Sequence, residues 1–317
     1  MAAVVGSDAI RAEVDRALRG KRRDAAGTAF GALLLLTLLA SLAVLVTLLW
    51  ITADHAMPVF RERGVDFVRE NTSSLASRAG VWQGLVGSLI LAGFVAVIAL
   101  PTGIAAAIYL QEYARDSRLN RLLIANIRNL AGVPSIVYGI LGLVVFVQTL
   151  RSVTGPGGNA PGYSYVSGGL TLAVLVMPIV ILVTMEALRA VPSSIREGAY
   201  GVGATRWEMI RSHVLPYAAP GIFTGAILSL ARAFGETAPL LLVGATTSFF
   251  SNPTGRGPIE ILQGFYTALP TQIFAWSRLP REQWGPSVSA AIVVLLVTIL
   301  VVNAVAIVLR NRYERKW

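Results

Sequence analysis

The sequence predicts an all-α polytopic membrane protein with six transmembrane helices, both termini cytoplasmic, and a short cytoplasmic helix between spans four and five. Three observations carry that prediction. The chain of 317 residues is 55% hydrophobic and only 14% charged, where soluble domains average about 25% charged. Its charges gather in clusters that separate apolar runs, each near the ~20 helical residues needed to cross a ~30 Å hydrocarbon core. The basic excess, +10 overall, falls mainly on alternate connections.

Residues 1–24 form a basic tail with Arg11, Arg16, Arg19, Lys21, Arg22 and Arg23. No charge occurs from Ala25 to Ala53, which is too long for the ~7–15 apolar residues of a signal peptide, so the first run reads as a retained span. Residues 54–80 mix Arg with acids, and Asn71-Thr-Ser-Ser74 reads as loop. A second charge-free run covers Ala79 to Gln111, with Trp82 and Tyr109 placed as interfacial anchors. The Arg-rich stretch 112–128 reads as a connection. Span three is expected over Asn129 to Leu150, with Gly132-Val-Pro-Ser-Ile-Val-Tyr-Gly139 inside it. A turn-rich segment at 151–167 leads to span four, Gly168 to Ala187. Span five is expected from Tyr217 through Arg232 and Glu236 to Phe250, and span six from Pro286 to Leu309. The transmembrane region is therefore 25–309, with an outer loop at 251–285 and a second basic tail at 310–317. The aromatics of that outer loop, Phe265, Tyr266, Phe274, Trp276 and Trp284, read either as interfacial anchors or as a segment that packs over a pore mouth or contacts a soluble partner on the outside.

Charge sets the orientation. Lys and Arg number 6 before residue 25, 4 in 112–128, 4 in 189–211 and 4 at the C-terminus, 18 in all, against 8 on the opposite connections. Positive charge is retained on the cytoplasmic side, so both termini and the loop at 190–216 are expected there. This orientation accounts for the basic excess without nucleic acid. The absence of Cys, with His55 and His213 the only histidines, excludes disulfides, thiol catalysis and Cys/His zinc sites. A phosphate-binding P-loop needs a Gly-Lys-Ser/Thr run; Gly20-Lys21 is followed by Arg22, so the chain has no nucleotide site of this kind.

Two polar constellations remain. The first runs from Glu197 to Pro216. Val202, Met209, Ile210 and Val214 recur at helical spacing, while Arg196, Arg206, Glu208 and Arg211 take other faces. Gly198, Ala199 and Gly203 are small enough for a second backbone to approach, and Pro216 ends one helix and starts another. This reads as a short amphipathic helix at the membrane surface, offering a notch to a soluble partner. The second is Arg232-Ala-Phe-Gly-Glu236-Thr237 inside span five. Ionisable groups at membrane depth cost at least a few kcal/mol, so they face a pathway or each other. Arg232 and Glu236, four residues apart, form either a self-neutralising pair or an anion-handling Arg oriented by Glu.

At 197–216 the sequence resembles the cytoplasmic loop of ABC-importer permeases, which runs Glu-Ala-Ala, three residues, Gly, nine residues, Ile, one residue, Leu-Pro. Glu197, Ala199, Gly203, Leu215 and Pro216 match in register; Gly198 replaces an Ala and His213 the Ile. Arg232-Ala-Phe-Gly-Glu-Thr-Ala-Pro239, Gly132 to Gly139, and Ala268-Leu-Pro-Thr-Gln-Ile-Phe-Ala-Trp276 are similar to permeases of the bacterial high-affinity phosphate importer, PstA-type. The resemblance implies ATPase coupling through Glu197, Gly198, Ala199, Gly203, Leu215 and Pro216, and a substrate pathway through Arg232, Glu236 and Thr237. It also implies a second, PstC-type permease, an ATPase dimer binding ATP and Mg, and an extracytoplasmic phosphate-binding protein. The chain itself would carry no cofactor and no enzyme activity. Open alternatives are the PstC-type subunit, a permease for sulfate or molybdate, a proton-driven transporter using Glu236, and a non-transporting scaffold.

Overall fold

The computed structural model describes residues 25–155, 162–245 and 257–313, and among them every regular element is helical. The basic tail 1–24, the end of the expected fifth span at 246–250, the start of the outer loop and residues 314–317 lie outside the described residues.

The chain forms two units, divided after Ile51. The first is described from Ala25 to Ile51 and is one stretch of helix α1 (Ala25–Arg63). It is apolar on every side, the pattern of a helix that meets hydrocarbon all round. Its few hydroxyls satisfy themselves: Thr37, Ser41 and Thr47 each donate to a backbone carbonyl one turn back, all at 2.8 Å. These three hydroxyls are thereby paired without a neighbouring helix.

The second unit is a bundle around helix α5 (Tyr165–Arg189). The apolar centre of α5 is 61% buried, against 22% in α2 (Trp82–Tyr113) and 28% in α7 (Arg206–Gly235). Ser164 caps its start by accepting from the Ser167 N–H at 3.2 Å. Leu172, Leu175, Val176 and Val180 pack with Leu91, Val95 and Ala99 of α2. Two long helices change pitch where proline intrudes. A wide π-turn at Val95–Ala99 precedes Pro101, and another at Ile210–Val214 precedes Pro216. Proline has no N–H and its ring displaces the carbonyl four residues back, so a wider turn carries the helix past it.

Among the described residues, five helices are long and apolar enough to span, or six if α3 (Arg118–Ala131) and α4 (Ser135–Thr149) count as one bent span. That pair corrects the expected third span. Residues 118–131 are helix rather than connection, and α3 meets α4 at 99°. Pro134, extended at ψ 137 and unable to donate, breaks the ladder between them.

Two further expectations are corrected. Span five stops at Gly235; Glu236 is extended (ψ 117), and a short helix α8 (Ala238–Leu242) starts with Pro239 in its first turn. The polar loop is not one amphipathic helix ended by Pro216. Helix α6 (Ser193–Gly201) ends before Gly203, and residues 206–214 already belong to α7, which passes through Pro216.

The segment 266–272 is buried throughout, so Tyr266, Trp276 and Trp284 are core residues rather than interfacial anchors. It leads into helix α9 (Leu269–Ser277), which packs against α2 and the start of α10 (Arg281–Tyr313). Glycines permit this approach: a Cβ at Gly87 would collide with the Thr267 carbonyl, and one at Gly84 with Gln272. The Leu269 N–H then donates to Ser88 Oγ at 2.9 Å, and Gln272 Nε2 to the Gly80 carbonyl at 2.9 Å. Trp276 and Trp284 pack at 5.2 Å between centroids, their rings tilted by 46°.

Candidate functional site

Two places in the second unit gather the polar residues singled out by sequence. The first is the break between α7 and α8. Arg232, one turn from the end of α7, donates from Nε to Glu236 Oε1 at 3.2 Å. The bond holds across the helix end because Glu236 occupies the C-cap position, where its chain turns away. Among the described residues the two terminal guanidinium nitrogens have no hydrogen-bond partner. The arginine side chain is 46% exposed and the glutamate 15%. Thr237 follows, partly buried, and Pro239 anchors the break: its Cα lies 2.7 Å from where a Gly139 Cβ would stand on α4. Glu236, at the α7 C-cap, therefore occupies one edge of the guanidinium and leaves the terminal nitrogens available to an oxyanion.

The second place is the end of the bundle formed by α2, α5, α6 and the start of α7. Gly203 has φ +85. The Ala204 N–H donates to the Ala199 carbonyl at 3.0 Å and the Gly203 N–H to Tyr200 at 2.9 Å. These two bonds are the glycine-terminated helix stop, and they require the left-handed conformation that a side chain disfavours. Nothing lies within 4 Å of a Cβ at Gly203, Gly198 or Gly201. Within this chain Gly203 is thus required by backbone conformation, not by a close neighbour. Thr205 then caps α7, exchanging hydrogen bonds with Glu208.

The six coupling candidates divide by position. Glu197, Gly198 and Gly203 are exposed, beside Val202, which is 85% exposed. Ala199 is buried against Leu188, Val191, Met209 and Val214, while Leu215 and Pro216 are partly buried in α7. The last three fix the surface rather than forming it.

Sequence reasoning missed the residue that holds α6 in place. Glu112, at the end of α2, is 6% exposed and accepts from Arg196 Nη2 at 2.7 Å. The same guanidinium donates to the Val191 and Leu188 carbonyls at 2.8 and 2.9 Å, closing the end of α5. The available signal was a lone acid ending a charge-free run of 33 residues, Ala79 to Gln111.

An apolar helical bundle with five or six candidate spans is that of a multi-pass membrane protein. Residues 99–316 match the family described as binding-protein-dependent transport system inner membrane component, and the chain belongs to that family. It is 34% identical to the phosphate transport system permease protein PstA 1 of Mycobacterium tuberculosis, over 73% of this chain and 70% of that one. It is also 34% identical to the PstA permease of Xylella fastidiosa strain Temecula1, covering 78% and 81%. Among solved structures, the fold is similar to a chain of a bacterial alginate ABC transporter (TM-score 0.65, 17% identity, 93% of this chain and 99% of that one). A chain of the inward-facing MetNI methionine transporter matches with TM-score 0.51 and 18% identity, over 74% and 95%.

Proposed function

We propose that the chain is the PstA-type permease subunit of an ATP-driven importer of inorganic phosphate. It crosses the inner membrane six times, α4 making the third crossing, with both termini and α6 in the cytoplasm. The reading is carried by the Arg232–Glu236 pair at the α7–α8 break, together with the identity to PstA permeases. Phosphate is a tetrahedral oxyanion, and a planar fork engages two of its oxygens at once. Glu236 fixes the guanidinium plane and repels a second anion, so that a single oxyanion is held weakly enough to leave.

A second permease of the PstC type would complete the pathway, and an extracytoplasmic phosphate-binding protein would deliver the ion. An ATPase dimer holding ATP and Mg would dock on Glu197, Gly198 and Val202. Its closure would push α6, and the Glu112–Arg196 connection would pass that movement to α2 and α5. The 18 basic residues on that side against 8 on the other support the orientation. The test is uptake of labelled phosphate by cells expressing the chain with its ATPase, second permease and binding protein. Uptake should depend on the ATPase and resist excess sulfate and molybdate. Equal competition by sulfate would reassign the substrate.

A further inference from the structure

Helix α3 divides into three faces. Ile124 and Ile127 pack on Ala107, Leu110, Ile181 and Met185. At 100° per residue, Leu119, Leu122, Leu123 and Leu130 share a second face, and all four are exposed. Arg118, Arg121 and Arg128 share the third, roughly opposite the leucines. The helix has no buried residue and stands at 99° to α4. An amphipathic helix lying across the direction of the adjoining span has the geometry of one in the interface plane, leucines towards the acyl chains and arginines at headgroup level.

The basic face borders an open cavity of about 390 Å³ lined by Arg121, Ile124, Ala125, Arg128 and Asn129 of α3 and by Arg189 of α5. Two of its arginines are compensated: Arg121 pairs with Asp116 at 2.6 Å, and Arg189 with Glu186 at 3.0 Å and Gln111 at 3.1 Å. Arg128 has no ion pair among the described residues. The cavity thus holds three guanidinium groups against two carboxylates, with Ile124 and Ala125 between them and the leucines on the far side of the helix.

We infer that this cavity is a site for the phosphodiester headgroup of an anionic phospholipid, seated by Arg128 with Arg121 and Arg189, its acyl chains passing α3 into the layer that the leucines face. The site is remote in sequence from Arg232 and rests on no assignment of the transported substrate. Each arginine near an anionic surface contributes about fivefold to binding.

The test is native mass spectrometry of the full-length chain in detergent with equal phosphatidylglycerol and phosphatidylcholine. The unmodified protein should retain phosphatidylglycerol preferentially. Arg128→Gln removes no internal partner and should lower that preference about fivefold, and Arg121→Gln with Arg128→Gln further still. Arg151→Gln, on a different connection, should not change it. An unchanged melting temperature for Arg128→Gln separates lost binding from lost fold. Equal retention of the two lipids, or an undiminished preference in the double variant, would overturn the inference. So would displacement of phosphatidylglycerol by millimolar inorganic phosphate, which would make this a free-phosphate site.

Discussion

Arg196 on α6 meets Glu112 at the end of α2, Nη2 to Oε1, at 2.7 Å, although 84 residues separate them. The surface helix is therefore tied to two membrane helices at once, because the same arginine also closes the last turn of α5. Removing one member of a buried ion pair costs about 3–5 kcal/mol, less where one side reaches solvent. Arg196→Met should be more damaging than Glu112→Gln, since it also frees two carbonyls. Both should lower the melting temperature and expose residues 190–205 to protease. Unchanged protease resistance in Arg196→Met would show that the connection does not hold α6.

Gly203 and Gly198 should respond differently. At φ +85 a side chain at Gly203 costs about 1–2 kcal/mol, so Gly203→Leu should destabilise the chain itself, and Gly203→Asn should be milder. Gly198 is helical with open space around it. Gly198→Leu should leave the melting temperature unchanged yet abolish uptake if an ATPase docks there. Normal transport by that variant would remove Gly198 from the docking surface.

The orientation has a labelling test. The chain contains no Cys, so Thr205→Cys supplies a single thiol at the start of α7. It should react with an impermeant reagent only after the membrane is opened. Labelling in intact cells would reverse the topology.

Close packing at α2 gives a stability test. Gly87→Val would drive a side chain into the Thr267 carbonyl, displacing 266–272 from the core. Overpacking of this kind costs about 1–3 kcal/mol, and membrane abundance should fall. Gly93→Val, on the same helix with nothing within 4 Å, should be tolerated.

Much of this architecture was legible in the charge pattern. The helices α1, α2, α5 and α10 are runs of twenty or more residues from which charge is nearly absent, and hydrocarbon admits no other regular single-segment structure. Helix α3 was not legible, because its arginines Arg118, Arg121 and Arg128, with Arg115 just before it, read as a connection. Its leucines and isoleucines nevertheless carried helical spacing. Gly203 was singled out for closeness to a partner, whereas its own backbone angle already demands glycine. The role of Glu112 arises only when α6 folds back on α2, and Tyr266 is buried where Gly168 leaves room for its ring. Contacts of that kind are tertiary, and periodicity does not encode them.

The central claim is that Arg232 handles the transported anion and does not merely neutralise Glu236. The most direct measurement is phosphate uptake by the double variant Arg232→Met, Glu236→Met at membrane abundance equal to the unmodified chain. No unpaired charge remains in that variant, so the fold is kept. The account predicts that uptake is lost, and that Arg232→Lys, a point charge in place of a fork, is also poor. Uptake by the double variant close to the unmodified rate would contradict it and reduce the pair to a structural contact.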